Sequence, residues 1–127
     1  MEALSEQDFD EALARSEGLV LVDFWADWCG PCQVVGPMLE ALEPQYEGRV
    51  DFYKVHADHN RRLMGAFGIR SLPTVVILKP NADGPGAEVL GHVVGARGAG
   101  AFAKAIDDAL HPKPSILSRL GKLFGQG

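Results

Sequence analysis

Leu19-Val-Leu-Val-Asp-Phe-Trp-Ala-Asp-Trp-Cys-Gly-Pro-Cys32 is the stretch on which the fold turns. Its first seven residues, ending at Trp25, form a nearly unbroken apolar run, the pattern of a central strand covered on both faces. Asp23 alone interrupts it. From Cys32 onward Val34, Val35, Met38, Leu39 and Leu42 recur at helical spacing to about Tyr46, with Pro37 expected to kink the helix. Two cysteines separated by Gly30 and Pro31 therefore sit between a buried strand and a helix.

The pattern continues on both sides of this unit. Ser5 with Asp8 three residues later predicts a helix cap, with Phe9, Ala12 and Leu13 inward to about Ser16 and a break at Gly18. Downstream, Val50-Asp-Phe-Tyr-Lys-Val55 reads as a strand, and residues 61–67 as a short helix ended by Gly68. Thr74-Val-Val-Ile-Leu78 is a strand introduced by Pro73. The turn chemistry of Asn81-Ala-Asp-Gly-Pro-Gly86 hands over to a hairpin partner over residues 88–94. Phe102, Ala105, Ile106 and Ala109 share a face of a closing helix over residues 98–110. The order α-β-α-β-α-β-β-α predicts an α/β domain, a mixed sheet with helices on both faces.

The chain has 127 residues, 46% of them hydrophobic and 23% charged, the mix of one folded domain with one core. No apolar stretch approaches the roughly 20 residues of a membrane span. The opening residues lack a basic start and an apolar signal core, so a cytoplasmic location is expected. Seventeen acids against twelve bases give a net charge of −5, which argues against a nucleic-acid binder with a general basic surface. Residues 113–127 hold Lys113, Arg119, Lys122 and no acid, so a +3 tail follows a −8 body. Pro112 and Pro114 mark the boundary, giving a domain over residues 1–111 and a basic amphipathic tail over 112–127. In that tail Ile116, Leu117, Leu120, Leu123 and Phe124 share one helical face. It reads as a segment packed on its own domain or a partner subunit, or frayed, with a membrane-surface or partner-docking helix as the alternative.

Cys29 and Cys32 close a four-residue loop, too small for a disulfide framework. Half a zinc site and a pair of inert thiols are the bland readings. Zinc would need more ligands, and among His56, His59, His92 and His111 only the loose 56/59 spacing comes near a pair. A redox reading gives each residue a task. At a helix start, unpaired amides and the helix dipole favour a thiolate at Cys29, the nucleophile. Cys32, one turn on, is placed to attack the mixed disulfide and release the partner. Pro31 suits the first helical turn, and Gly30 permits close approach of a partner's backbone.

Ala26-Asp-Trp-Cys-Gly-Pro-Cys32 closely resembles the active site of the thioredoxin family. Asp23, Lys54, the Gly68-Ile-Arg-Ser-Leu-Pro-Thr74 run and Val94-Gly-Ala96 fall where that family carries comparable residues. The resemblance covers about residues 5–110 in the same element order and implies a thioredoxin fold. It implies that Asp23 is a buried carboxylate behind the cysteines, exchanging a proton with Cys32 through water, with Lys54 tuning it. A strand-end acid reaching solvent and an outward lysine are the plain alternatives. Pro73 is a tolerated strand-start residue on its own account; the resemblance implies a cis Leu72–Pro73 bond facing the cysteines, leaving Leu72 backbone groups to pair with an extended substrate. Trp28, Gly30, Pro31, Leu72, Gly95 and Ala96 would line the recognition surface. Trp25 is the better candidate for core and Trp28 for surface.

The implied function is a protein-disulfide reductase cycling between a Cys29–Cys32 dithiol and disulfide. The implied electron source is NADPH by way of a separate flavin-containing thioredoxin reductase, with neither cofactor bound to this chain, and the implied substrates are disulfide-containing proteins. Gly30-Pro31 resembles the reducing branch; oxidants and isomerases, which would also need export, more often carry a histidine there. The rival from another class is a redox-insensitive docking module on the same fold. Two departures stand out: Gln33 where the family commonly has a lysine or arginine, and the long 81–87 turn, read as a tolerated insertion. The histidines read as surface or strand-edge residues, and Arg61-Arg62 as a solvated helix start.

Overall fold

The computed structural model describes residues 1–112. The 113–127 part of the predicted tail, with its apolar face and all three of its cations, lies outside the described residues. Strand β1 (Glu2–Ala3) and helix α1 (Glu6–Arg15) lead into β2 (Leu19–Trp25) and α2 (Cys32–Leu42). Then come β3 (Val50–His56), α3 (Arg61–Ala66), β4 (Thr74–Pro80), β5 (Ala87–Val94) and α4 (Ala99–Leu110), with 3-10 turns at Glu43–Tyr46 and Ala57–His59. The sheet order is β1-β3-β2-β4-β5. Strand β3 runs parallel to β1 and β2, β4 antiparallel to β2, and β5 antiparallel to β4. This is the mixed, doubly covered sheet that the apolar pattern predicts.

The continuous apolar run of β2 is accounted for by two faces. Val20, Val22 and Phe24 pack with Phe9 and Leu13 of α1 and Leu63 of α3. Leu21 faces the other way, into a cluster with Val35 and Leu39 of α2 and Phe102 and Ile106 of α4. Asp23 shares the parity of Leu21 and so points toward the α2 side. The strand can start only because residue 18 is glycine: a Cβ there would overlap the Arg49 carbonyl oxygen, which accepts the Leu19 N–H at 3.0 Å.

Three local expectations change. Ser5 occupies the cap position of α1, but its hydroxyl donates to the Asp8 carboxylate at 3.1 Å rather than capping a backbone amide. The helix predicted to reach Tyr46 ends at Leu42, and Glu43–Tyr46 tightens into a 3-10 turn. Pro44 explains this, since it lacks the N–H that a continuing α-helix would direct to Glu40. Strand β1, absent from the predicted order, pairs Glu2 with Tyr53 and Ala3 with Lys54. Two residues are too few to carry a periodicity to read.

Register then places the two ends of β4. Phe24 pairs with Thr74, so Pro73 lies beside the carboxyl end of β2, where the cysteine loop begins. The 81–86 turn lies at the other end of β4. It closes on itself through Asn81 N–H to the Gly86 carbonyl at 3.0 Å and Asn81 Nδ2 to the Pro85 carbonyl at 2.9 Å. Among the described residues no helix is long and apolar enough to cross a membrane.

Candidate active site

Cys29 lies in the loop after β2 and Cys32 is the first residue of α2; the two are joined in a disulfide with Cα atoms 5.3 Å apart. Pro31 already has helical torsions, φ −59° and ψ −29°, so its ring presets the first turn. The Cys32 N–H donates to Cys29 Sγ at 3.2 Å. The next amides go instead to oxygens: Gln33 to the Gly30 carbonyl, and Val34 and Val35 to that of Pro31. One helix-opening donor is thus aimed at the outer sulfur. Such a bond strengthens when the acceptor is a thiolate. Both cysteines are buried, in a cluster with Ala26 and Ala57 against which Trp25, Met64 and Leu72 pack. A Cβ built on Gly30 meets nothing within 4 Å, so the loop crest is open to an approaching chain.

Behind the disulfide lies Asp23, 1% exposed, with Oδ1 lacking any hydrogen-bond partner. Burial raises its pKa to about 7, against the opposing pull of the Lys54 ammonium. Asp23 and Lys54 are register partners on β2 and β3. Lys54 is half-buried, its Nζ 5.5 Å from the centre of the Trp25 ring. Asp23, Lys54, Trp25 and Cys32 border one cleft of about 320 Å³, completed by Gly36, Pro37 and Asp27 among others. The carboxyl and the inner cysteine thus border the same cleft.

The third wall comes from the second half of the chain. The Leu72–Pro73 peptide bond is cis, and Leu72 packs against the cysteine cluster. The Pro73 carbonyl accepts the Gly95 N–H at 2.9 Å, and Gly95 has φ +89°, a conformation that favours glycine. Thr74 Oγ1 donates to the Ser71 carbonyl at 2.7 Å, closing the loop. Ala96 is exposed beside Gly95. The structure thus brings Cys29, Cys32, Asp23, Lys54, Leu72 and Pro73 to one end of the sheet.

Trp28 is 70% exposed next to Cys29, and its Nε1–H donates to Asp58 Oδ2 at 2.9 Å. Trp25 is not ordinary core: it is half-buried at the cleft, where it meets Lys54 and His56. Among the histidines, 59, 92 and 111 are exposed, but His56 is half-buried and its Nε2 lies 2.8 Å from Asp27 Oδ2. The sequence reading gave Asp27 no role of its own, took His56 for a surface or strand-edge residue and did not single out Asp58. The signal was present only in the β2–β3 register, which pairs Trp25 with His56 at the edge of the cysteine loop. Among the described residues no group of three or more His, Cys, Asp or Glu is placed to hold a metal ion.

The Thioredoxin family model matches residues 1–108. This chain belongs to the thioredoxin family. A thioredoxin of Chlorobaculum thiosulfatiphilum is 40% identical over 104 residues, covering 82% of this chain and 91% of the relative. Thioredoxin 2 of Chlorobaculum tepidum is 39% identical over 104 residues, 82% and 90% of the two chains. A thioredoxin of Synechocystis is 46% identical over a shorter 76 residues, 60% of this chain and 71% of the relative. Membership together with the Cys29–Cys32 pair supports a thiol–disulfide redox role.

Proposed function

We propose that this thioredoxin-family chain is a general protein-disulfide reductase. The reading rests above all on the Cys32 N–H aimed at Cys29 Sγ beneath an open Gly30 crest. In the dithiol form, the Cys29 thiolate attacks one sulfur of a substrate disulfide. A mixed disulfide forms, and the other substrate sulfur leaves as a thiolate that takes up a proton. Asp23, as carboxylate, then accepts the Cys32 thiol proton through the cleft. The Cys32 thiolate attacks Cys29 Sγ, closing the intramolecular disulfide and releasing the second substrate thiol. Two electrons have passed to the substrate.

Lys54 holds Asp23 within reach of its ionised form. Pro73 keeps the Leu72 backbone beside the cysteines, where an extended substrate segment pairs with it. Trp28, Gly30, Pro31, Gly95 and Ala96 complete a shallow surface suited to many sequences. The cycle requires a source of two electrons. The reading assigns it to a separate flavin-containing thioredoxin reductase fed by NADPH, with no cofactor held by this chain, and it assigns the work to the cytoplasm. Residues 1–111 form the redox domain in this reading.

Equilibration of the Cys29–Cys32 couple against glutathione or dithiothreitol tests the direction of flow. A potential near the about −270 mV of thioredoxins supports the reductase. One near the about −120 mV of a strong oxidant reverses it, and failure to form a reversible disulfide removes the redox reading in favour of docking. Cys29→Ser abolishes insulin reduction, whereas Cys32→Ser accumulates a mixed disulfide visible by mass spectrometry.

A further inference from the structure

The hydrogen-bonded register of β2 and β3 ends at Trp25 and His56. Beyond that pair the chains part, one into Ala26-Asp-Trp-Cys29, the other into the Ala57–His59 turn. Two side-chain bonds still cross the gap. Trp28 Nε1–H reaches Asp58, and on the neighbouring residues His56 Nε2 meets Asp27 Oδ2 at 2.8 Å. Of the second pair, Asp27 has a side chain 79% exposed, whereas that of His56 is 15% exposed. A surface carboxylate is therefore held by a group that is itself held.

The imidazole has little freedom. Its ring stacks on His59 with centroids 4.1 Å apart and planes 12° from parallel, and it stands edge-on to Trp25 at 4.8 Å. The His56 carbonyl accepts Asn60 Nδ2–H at 2.9 Å, and Asn60 Oδ1 in turn accepts the Glu6 N–H at 2.9 Å, anchoring this turn to α1. Nδ1 is enclosed and has no hydrogen-bond partner. A proton there would be left without an acceptor, so the tautomer that fits carries its proton on Nε2 and donates it to Asp27.

What this fixes is the approach to the nucleophile. Asp27 lies inside the turn in which the Cys29 N–H donates to the Ala26 carbonyl at 3.2 Å. It also borders the cleft shared by Asp23 and Cys32. The geometry points to His56 as a positioning residue for Cys29: through Asp27 it sets the 26–29 turn, and hence where the outer sulfur and the Trp28 ring sit. This inference rests on the reductase reading for its consequence in turnover.

The experiment uses the full chain with His56→Ala, Asp27→Ala, the double variant and His56→Gln, whose amide returns a donor near the Nε2 position. Two readouts are taken: insulin reduction, and the pH profile of Cys29 alkylation by iodoacetamide in the reduced protein, which needs no substrate. His56→Ala and Asp27→Ala each shift the alkylation profile and lower kcat/KM by about tenfold. The double variant is no worse than either single one, and His56→Gln recovers to within about twofold. Unchanged alkylation with lowered urea stability, or independent additive losses, overturns the positioning role. If His56→Ala does not fold, the exposed Asp27→Ala decides alone, an unaltered profile overturning it. Absence of turnover in the unsubstituted chain counts against the reductase reading only, because the alkylation comparison still stands.

Discussion

An aspartate that is 1% exposed, with one oxygen unpaired, binds its proton more tightly in the folded chain than in the unfolded one. With the folded value raised to about 7 from 3.8, the folded state carries the extra proton across that interval. The contribution of Asp23 to stability is therefore full below about pH 4 and is lost as pH rises through 7. Asp23→Asn removes the penalty: urea unfolding at pH 8 shows a gain of up to about 4 kcal/mol, shrinking toward nothing near pH 4. On the proposed mechanism the same variant is expected to slow release of substrate by Cys32, read as a longer-lived mixed disulfide, because an amide does not take up the thiol proton. Asp23 was legible in the sequence as the one charge in an apolar run. Pro73 carried no such mark: its cis bond came only through family resemblance, since the residues alone are equally those of a strand start. Asp27, His56 and Asp58 were unreadable because their meeting depends on two strands coming into register.

At the scale of elements, the long apolar-periodic ones were legible and their ends were not. Strand β2 spans the residues its apolar run marks, whereas α2 stops four residues short because Pro44 denies it a donor. The closeness of β2 to the loop before β3 was equally hidden, although it is strict. A methyl at residue 18 has no space beside the Arg49 carbonyl, and backbone is what stands in its way. Gly18→Ala is expected to cost about 2 kcal/mol or more, read as a lower urea midpoint at unchanged slope. An alanine at Gly30 meets nothing and leaves stability within about 0.5 kcal/mol, which the same titration checks.

Across the whole molecule, helices α2 and α4 press on one face of the sheet and α1 and α3 on the other. Phe102 of α4 is 1% exposed and packs in the layer that also holds Val35 and Leu39 of the helix carrying Cys32. Phe102→Ala leaves a cavity there and lowers stability by about 3 to 5 kcal/mol by thermal or urea unfolding. The redox end of the molecule is thus assembled from both halves of the chain, cysteines from the first and Leu72–Pro73 from the second. The opposite end is left to the 81–86 turn, whose bonds are its own. Seven residues of β4 put it on the order of 20 Å from Pro73. A foreign domain spliced between Asp83 and Gly84 would ride there as cargo, and the carrier's insulin-reduction rate should match that of the unspliced chain.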